Sequence, residues 1–135
     1  MNDIITNTMK KNSLLIIMFL AISQMMMAQG KPVMSFEKLE YNLGTIKFTP
    51  KTKKVKLNYV FRNTGNTTLI INRVETSCGC TISEWTKKPV PAGAKGHVYA
   101  ILDLKDKIGL IRKTLFVYSN ASQKAIELHI KGMIK

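Results

Sequence analysis

Alternation of apolar and polar side chains is the feature that most constrains the fold of this chain. Val55, Leu57, Tyr59 and Phe61 occupy alternate positions, and the opposite positions hold Lys54, Lys56, Asn58 and Arg62. A period of two places successive side chains on opposite faces of a β-strand, so this segment predicts a strand with one buried face. The Asn-Thr-Gly-Asn stretch at 63–66 predicts a turn after it, because Asn and Gly tolerate positive φ.

Further segments have the composition or the alternation of strands. We predict them at 33–36, 40–43, 68–74, 81–85, 96–103, 114–119 and 124–131. The segment at 68–74 is more apolar than the preceding strand and is expected to lie in the centre of a sheet. Residues 89–93 are predicted to form a loop, since proline cannot donate to a central ladder. No amphipathic helix of ten or more residues is expected after residue 28.

Short strands separated by turns, in about 100 residues, predict an all-β fold: an immunoglobulin-like β-sandwich of about seven strands. A small barrel is the alternative. The inter-sheet disulfide of antibody domains joins residues that are far apart in sequence. Cys78 and Cys80 are two residues apart and cannot form that bond.

The first 28 residues have the features of a secretory signal peptide. Two lysines precede an unbroken apolar run at 14–22, and a small residue, Ala28, stands before a polar one. The run is shorter than the roughly 20 apolar residues that a spanning helix needs. We predict a signal peptide at 1–28, cleaved after Ala28, and one domain at 29–135, with an uncleaved anchor as the alternative. The domain is then exported to the periplasm or the cell surface.

The charge of the predicted mature domain restricts its partners. Residues 29–135 contain 19 basic and 7 acidic side chains, a net charge of +12. Such a charge often indicates nucleic-acid binding, but export argues against it. The basic segment at 51–56 also has no aromatic residues on its polar face to stack bases. The expected partner is a protein or an anionic cell-envelope component, with membrane contact only through the signal peptide.

The chain has two cysteines, Cys78 and Cys80, separated by Gly79, and they are the candidate site residues. Export makes a disulfide the expected state. The Cα atoms of residues two apart in a strand lie about 6.5 Å apart, near the upper limit for a disulfide. Closing a loop of about three residues stabilises by only roughly 1.6 kcal/mol in the chain-entropy model. Such a bond is expected to be strained and easily reduced, which suits thiol exchange.

Two other roles for these cysteines are open at this stage. Two thiolates on one side of a strand suit Cu(I) or Zn(II), but a closed zinc site needs four ligands. His97 and His129 are expected to be surface residues, so no metal site and no cofactor is assigned. Simple packing is the third interpretation, because free cysteine behaves as a small hydrophobic side chain.

Several short motifs occur in the order that is typical of one family. They are Phe61-x-Asn63-Thr64-Gly65, Leu69-x-Ile71-x-x-Val74, Ser77-Cys78-Gly79-Cys80-Thr81, Pro91-Ala92-Gly93 and Leu128-x-Ile130-x-Gly132. From about Phe36 to Ile134 the chain resembles the domain of unknown function 1573 family, common in exported proteins of Bacteroidetes. The resemblance implies an immunoglobulin-like sandwich related to major-sperm-protein-type domains, and it implies no established activity.

These observations favour a non-enzymatic, exported module that binds a protein or an envelope component through its sheet edges or loops. No Ser-His-acid arrangement stands out in the sequence. The alternative is a thiol-redox or soft-metal-handling protein that acts through Cys78 and Cys80.

Overall fold

The chain divides into two compact units, Met1–Gly30 and Lys31–Lys135, in the computed structural model. The structure describes residues 1–25, 30–51, 53–77, 81–105 and 107–135. The first unit contains helix α1, Asn2–Met25, which carries most of the apolar residues of the predicted signal. Among the residues described, no helix combines the length and the apolar character needed to cross a bilayer. The signal peptide at 1–28 and its cleavage site stay predictions.

Within its described residues, the second unit has eight strands. They are β1 (Met34–Phe36), β2 (Glu40–Ile46), β3 (Lys54–Asn63), β4 (Ile71–Thr76), β5 (Thr81–Trp85), β6 (Lys95–Asp103), β7 (Gly109–Ser119) and β8 (Ser122–Ile134). One sheet has the order β1-β3-β6-β5 and the other β2-β8-β7-β4. The pairings are antiparallel except that of β2 with β8, which is parallel. The predicted all-β sandwich is confirmed.

The core lies between the two sheets, and the alternation of the sequence builds it. In β3 the predicted inward residues Leu57, Tyr59 and Phe61 are buried, while Lys54, Lys56 and Arg62 are exposed. The predicted inward residues of β6 and β8 are buried or packed against the core: Val98, Ala100, Leu102, Ile126, Leu128 and Ile130. Burial of one large apolar side chain stabilises by roughly 2 kcal/mol, so these alternating faces supply most of the driving force for folding.

Two tyrosines tie the sheets together inside this core. The Tyr59 hydroxyl, on β3, donates to the backbone oxygen of His129 on β8 at 2.7 Å. The Tyr41 hydroxyl, on β2, donates in the other direction to the backbone oxygen of Asn58 at 2.7 Å. The two rings meet edge to face, with centroids 4.8 Å apart. Burial, with smaller contributions from Tyr41 and Glu40, raises the pKa of Tyr59. Its hydroxyl therefore stays a hydrogen-bond donor over the ordinary pH range.

The prediction that residues 68–74 form a central strand is wrong. β4 begins at Ile71 and pairs with β7 at the edge of its sheet. Leu69 lies before the strand, where it is fully buried and exchanges two backbone hydrogen bonds with Val90, at 2.9 and 2.8 Å. The segment is apolar because it closes one end of the core, and apolar character reports burial without reporting sheet neighbours.

Candidate functional site

The predicted site residues Cys78 and Cys80 lie outside the described residues, so their pairing stays a prediction. The neighbouring residues are described. Ser77 N donates to Thr114 O at 2.9 Å, and Thr114 N donates to Ser77 Oγ at 3.1 Å. On the other side, Thr76 Oγ1 donates to Thr81 O at 3.4 Å. Ser77, before the cysteines, is therefore anchored to β7, and Thr81, after them, accepts a hydrogen bond from Thr76.

The two histidines weighed as metal ligands lie on different sheets. His97 is on the outer face of β6, where its Nδ1 is 3.0 Å from Asn58 Oδ1 and its ring stacks on Tyr99. His129 is on β8, with Nδ1 3.3 Å from Thr114 Oγ1. In the described part of the chain, no three His, Cys, Asp or Glu residues lie close enough together to hold a metal ion.

Trp85 packs against the core from the edge strand β5. The Lys87 ammonium lies 3.0 Å from the centroid of its ring. Trp85 Nε1 and Thr81 Oγ1 are buried and have no hydrogen-bond partner among the described residues. Both atoms belong to inward-facing residues of β5. Among the described residues, the buried side-chain polar atoms that lack a hydrogen bond are therefore at this edge of the sheet.

Lysines gather at one end of the sandwich, which we call the basic end. Strand pairing brings the chain segments there together: Leu104 N donates to Lys53 O at 2.8 Å, and Phe48 N donates to Lys135 O at 2.9 Å. The lysines of these segments are Lys47, Lys51, Lys53, Lys54, Lys105, Lys107 and Lys135. The same segments hold two acidic residues, Asp103 and Asp106, so seven lysines and two aspartates give a net charge of +5. Thr76 and Thr81, on either side of the cysteines, also lie at this end. Thr76 is opposite Leu115 of β7, and Thr81 is opposite Leu102 of β6.

The basic end also exposes apolar side chains. Ile108 is 89% exposed and Leu110 is 64% exposed. Leu110 lies directly opposite Met133 on the outer face of the second sheet, and Phe48 is exposed on the neighbouring segment. Gly109, between Ile108 and Leu110, has a φ of 102° and is the first residue of β7. The positive φ favours glycine at this position and holds Ile108 outside the sheet.

The basic end is not evident from the local sequence pattern. Its lysines come from three separate segments, and only strand pairing brings them together. Apolar character alone would have placed Ile108 and Leu110 in the core. The available signal was weak: Ile108 stands between Lys107 and Gly109, in a segment that also contains Asp103, Lys105 and Asp106.

The two packed four-stranded sheets define a small β-sandwich module. Within that class, residues 34–134 match the family model described as "Protein of unknown function (DUF1573)". The chain belongs to this family, which confirms the resemblance seen in its motifs.

Solved structures share the fold at low sequence identity. A protein of unknown function from Porphyromonas gingivalis W83 is similar with a TM-score of 0.64 and 15% identity, over 76% of this chain and 47% of that chain. The secreted serine protease VesC from Vibrio cholerae is similar with a TM-score of 0.56 and 13% identity, over 75% and 23%. The VesB protease from Vibrio cholerae gives 0.53 and 16%, over 74% and 31%.

The chain thus spans less than half the length of each of these proteins. At such identities the likeness concerns the fold alone. No curated protein matches the sequence.

Proposed function

We propose that the sandwich is a non-enzymatic, exported binding module and that its basic end docks on an anionic lipid surface of the cell envelope. The observation that carries the proposal is the exposure of Ile108, which is 89% accessible at the tip of the basic end. An exposed isoleucine can insert into the boundary between the headgroups and the acyl chains of a lipid layer. The lysines around it can then contact anionic headgroups.

The magnitudes support a two-part contact. A lysine close to an anionic leaflet contributes about 1 kcal/mol, and this attraction falls off within a Debye length of about 8 Å at physiological salt. Burying an exposed Ile or Leu contributes roughly 2 kcal/mol. Neither part alone gives firm binding, because association also costs translational and rotational freedom. Seven lysines beside two protruding apolar residues combine both parts on one surface.

The proposal extends the expectation from the sequence in one respect. The sequence predicts membrane contact only through the signal peptide, whereas the proposed contact involves the folded domain. It is compatible with the predicted export, since an exported domain faces envelope lipids. It is also compatible with the predicted anionic envelope partner, for which it names lipid headgroups as the source of charge.

Vesicle binding tests the proposal. We expect the protein to sediment with vesicles that contain phosphatidylglycerol, to bind vesicles of phosphatidylcholine alone far more weakly, and to be released by salt. Ile108→Asp should weaken binding by at least about tenfold, since roughly 2 kcal/mol of burial is lost.

The matched control is Ile70→Asp. Ile70 is also exposed, at 41%, but it lies at the opposite end of the sandwich beside Asn120. This variant should bind as the parent protein does. Equal binding of parent and Ile108→Asp, or equal binding to charged and neutral vesicles, would contradict the proposal.

A thiol-redox or soft-metal role for Cys78 and Cys80 is the second candidate function. It is favoured by the hydrogen bonds that anchor Ser77 to Thr114 and Thr76 to Thr81, because these hold the ends of the cysteine segment. This candidate makes a prediction for thiol titration. Denatured protein should show no free thiol before reduction and two after it, with a reduction potential above about −300 mV.

The metal form of this candidate predicts bound copper or zinc that is lost in the Cys78→Ser, Cys80→Ser double variant. Two free thiols in unreduced protein that contains no copper or zinc would exclude both forms. This titration does not depend on vesicle binding, so each candidate function stands or falls separately.

A further inference from the structure

A cavity of about 410 Å³ opens on the outer face of the second sheet. Along β7 its lining begins at Arg112, two residues after the exposed Leu110. Its lining comes from β2, β7 and β8: Glu40, Arg112, Lys113, Thr114, His129, Ile130 and Lys131. We call it the Arg112 cavity. It uses none of the seven lysines of the basic end, and neither the vesicle-binding proposal nor the cysteine candidate assigns it a role.

Four of its side chains stand at the corners of one unit of the sheet. Arg112 is directly opposite Lys131, and Thr114 is directly opposite His129. Cross-strand neighbours on one face lie about 5 Å apart, and residues two apart along a strand lie about 7 Å apart. A guanidinium, an ammonium, a hydroxyl and an imidazole therefore border a space that suits one small anion.

The charges in this unit are unevenly compensated. Lys131 Nζ is 2.6 Å from Glu40 Oε1, and His129 Nε2 is 3.7 Å from Glu127 Oε2. Within the described residues, Arg112 forms no ion pair with a carboxylate. Like charges that stand directly opposite each other destabilise a sheet. A bound anion between Arg112 and Lys131 would relieve this repulsion.

The arrangement of donors indicates the class of anion. A guanidinium alone satisfies both oxygens of a carboxylate through its planar fork. The cavity adds the Lys131 ammonium and the Thr114 hydroxyl, so an anion with three terminal oxygens uses the donors more fully. A phosphomonoester has three terminal oxygens, whereas the phosphodiester of phosphatidylglycerol has two. We infer that the Arg112 cavity binds the terminal phosphate group of a phosphomonoester.

The phosphate site adds a specific ligand to the proposed function. If the phosphomonoester belongs to a lipid, the inference rests on the proposed docking of the basic end on a membrane. Arg112 follows Leu110 by two residues on the same strand face, a separation of about 7 Å. If Leu110 enters the acyl boundary, Arg112 and Lys131 reach the level of the headgroup phosphates. Binding of a free phosphomonoester needs no membrane.

The first experiment is an NMR titration of the protein with glycerol 3-phosphate. We expect saturable shifts of the backbone amides of Arg112, Thr114, His129 and Lys131. Arg112→Gln should weaken binding by at least about tenfold, because a charge-assisted, two-pronged contact is lost. Arg112→Lys keeps the charge without the fork and should bind with intermediate affinity. Lys124→Gln, an exposed lysine at the start of the same strand β8, is the matched control and should bind as the parent does.

The second experiment compares vesicles that contain phosphatidic acid or phosphatidylglycerol, matched in surface charge. The parent should prefer phosphatidic acid. Arg112→Gln should lose that preference and still bind phosphatidylglycerol through the basic end. Thermal unfolding of each variant checks that the fold is intact.

The outcomes separate the two ideas. Equal shifts with chloride at the same ionic strength, or no change in Arg112→Gln, would overturn the phosphate site while leaving vesicle binding untouched. Glycerol 3-phosphate binding without a lipid preference would support a free phosphomonoester and overturn the lipid source. Failure of the parent to bind any charged vesicle would overturn the proposed function, and the titration in solution would still decide the phosphate site.

Discussion

Replacing Asn63 by alanine should lower the free energy of unfolding by about 3 kcal/mol. Asn63 is fully buried at the end of β3. Its Nδ2 donates to Thr67 O at 2.7 Å and to Val90 O at 3.0 Å. Its Oδ1 accepts from Val33 N at 3.3 Å and from Gly65 N at 3.1 Å. The substitution removes the partner of four backbone groups, and each buried group left unpaired costs about 1 kcal/mol or more.

Urea unfolding of the parent and the variant measures this loss. Asn66→Ala is the matched control, because Asn66 is exposed and its side chain forms no hydrogen bond among the described residues. The control should change stability by less than about 0.5 kcal/mol. A loss in Asn63→Ala no larger than that of the control would show that the network is dispensable.

Replacing Gly65 by alanine should cost about 3 kcal/mol by a different route, steric exclusion. A Cβ at this position would lie 2.6 Å from Val33 N and 2.8 Å from Pro32 C, and closer still to Lys31 O. These are backbone atoms, so no side-chain rotation relieves the contact. The segment at 31–33 must move away, and it then loses the 2.9 Å hydrogen bond that Thr64 N donates to Val33 O.

Hydrogen exchange locates the effect of this substitution. The Thr64 amide, protected by its bond to Val33, should exchange faster in Gly65→Ala, while amides of the β6 core should change little. Because Asn63 also holds Val33, the double variant Asn63→Ala, Gly65→Ala should lose less stability than the sum of the single losses. Unchanged chemical shifts at 31–33 in Gly65→Ala, together with parental stability, would contradict the steric argument.

These two residues give the Asn-Thr-Gly motif a structural meaning. Asn63 joins three separate parts of the chain at one end of the sandwich, and Gly65 leaves room for the segment that precedes β1. The motif that helped to identify the family is therefore explained by folding. The basic end and the Arg112 cavity lie elsewhere, on residues outside this motif.

The strands were predictable because inward and outward residues alternate in sequence. The limits of that signal are visible in β7, which begins at Gly109 and not at residue 114 as predicted. Arg112 and Lys113 stand next to each other and break the alternation, although Ile111 faces the core. Likewise, the apolar residue Leu69 suggested a central strand when it in fact closes the core beside Val90.

The candidate surfaces were less predictable, for a physical reason. The basic end is assembled from three segments, and the Arg112 cavity depends on the register of β7 with β8. Neither register nor the meeting of loops is encoded in the local pattern of one segment. The pair Cys78 and Cys80 was conspicuous because only one residue separates the two cysteines in sequence, and its role stays a prediction.

The parallel pairing of β2 with β8 determines how the domain would respond to tension. β2 enters the sheet beside the middle of β8, and both strands run toward the basic end, from Glu40 opposite His129 to Ile46 opposite Ile134. A pull on the chain before β2 and after β8 draws these strands past each other. Their hydrogen bonds are then strained together in shear, whereas an antiparallel pair pulled at one end would open one bond at a time. Tension applied in this direction should therefore meet the combined resistance of the β2–β8 hydrogen bonds.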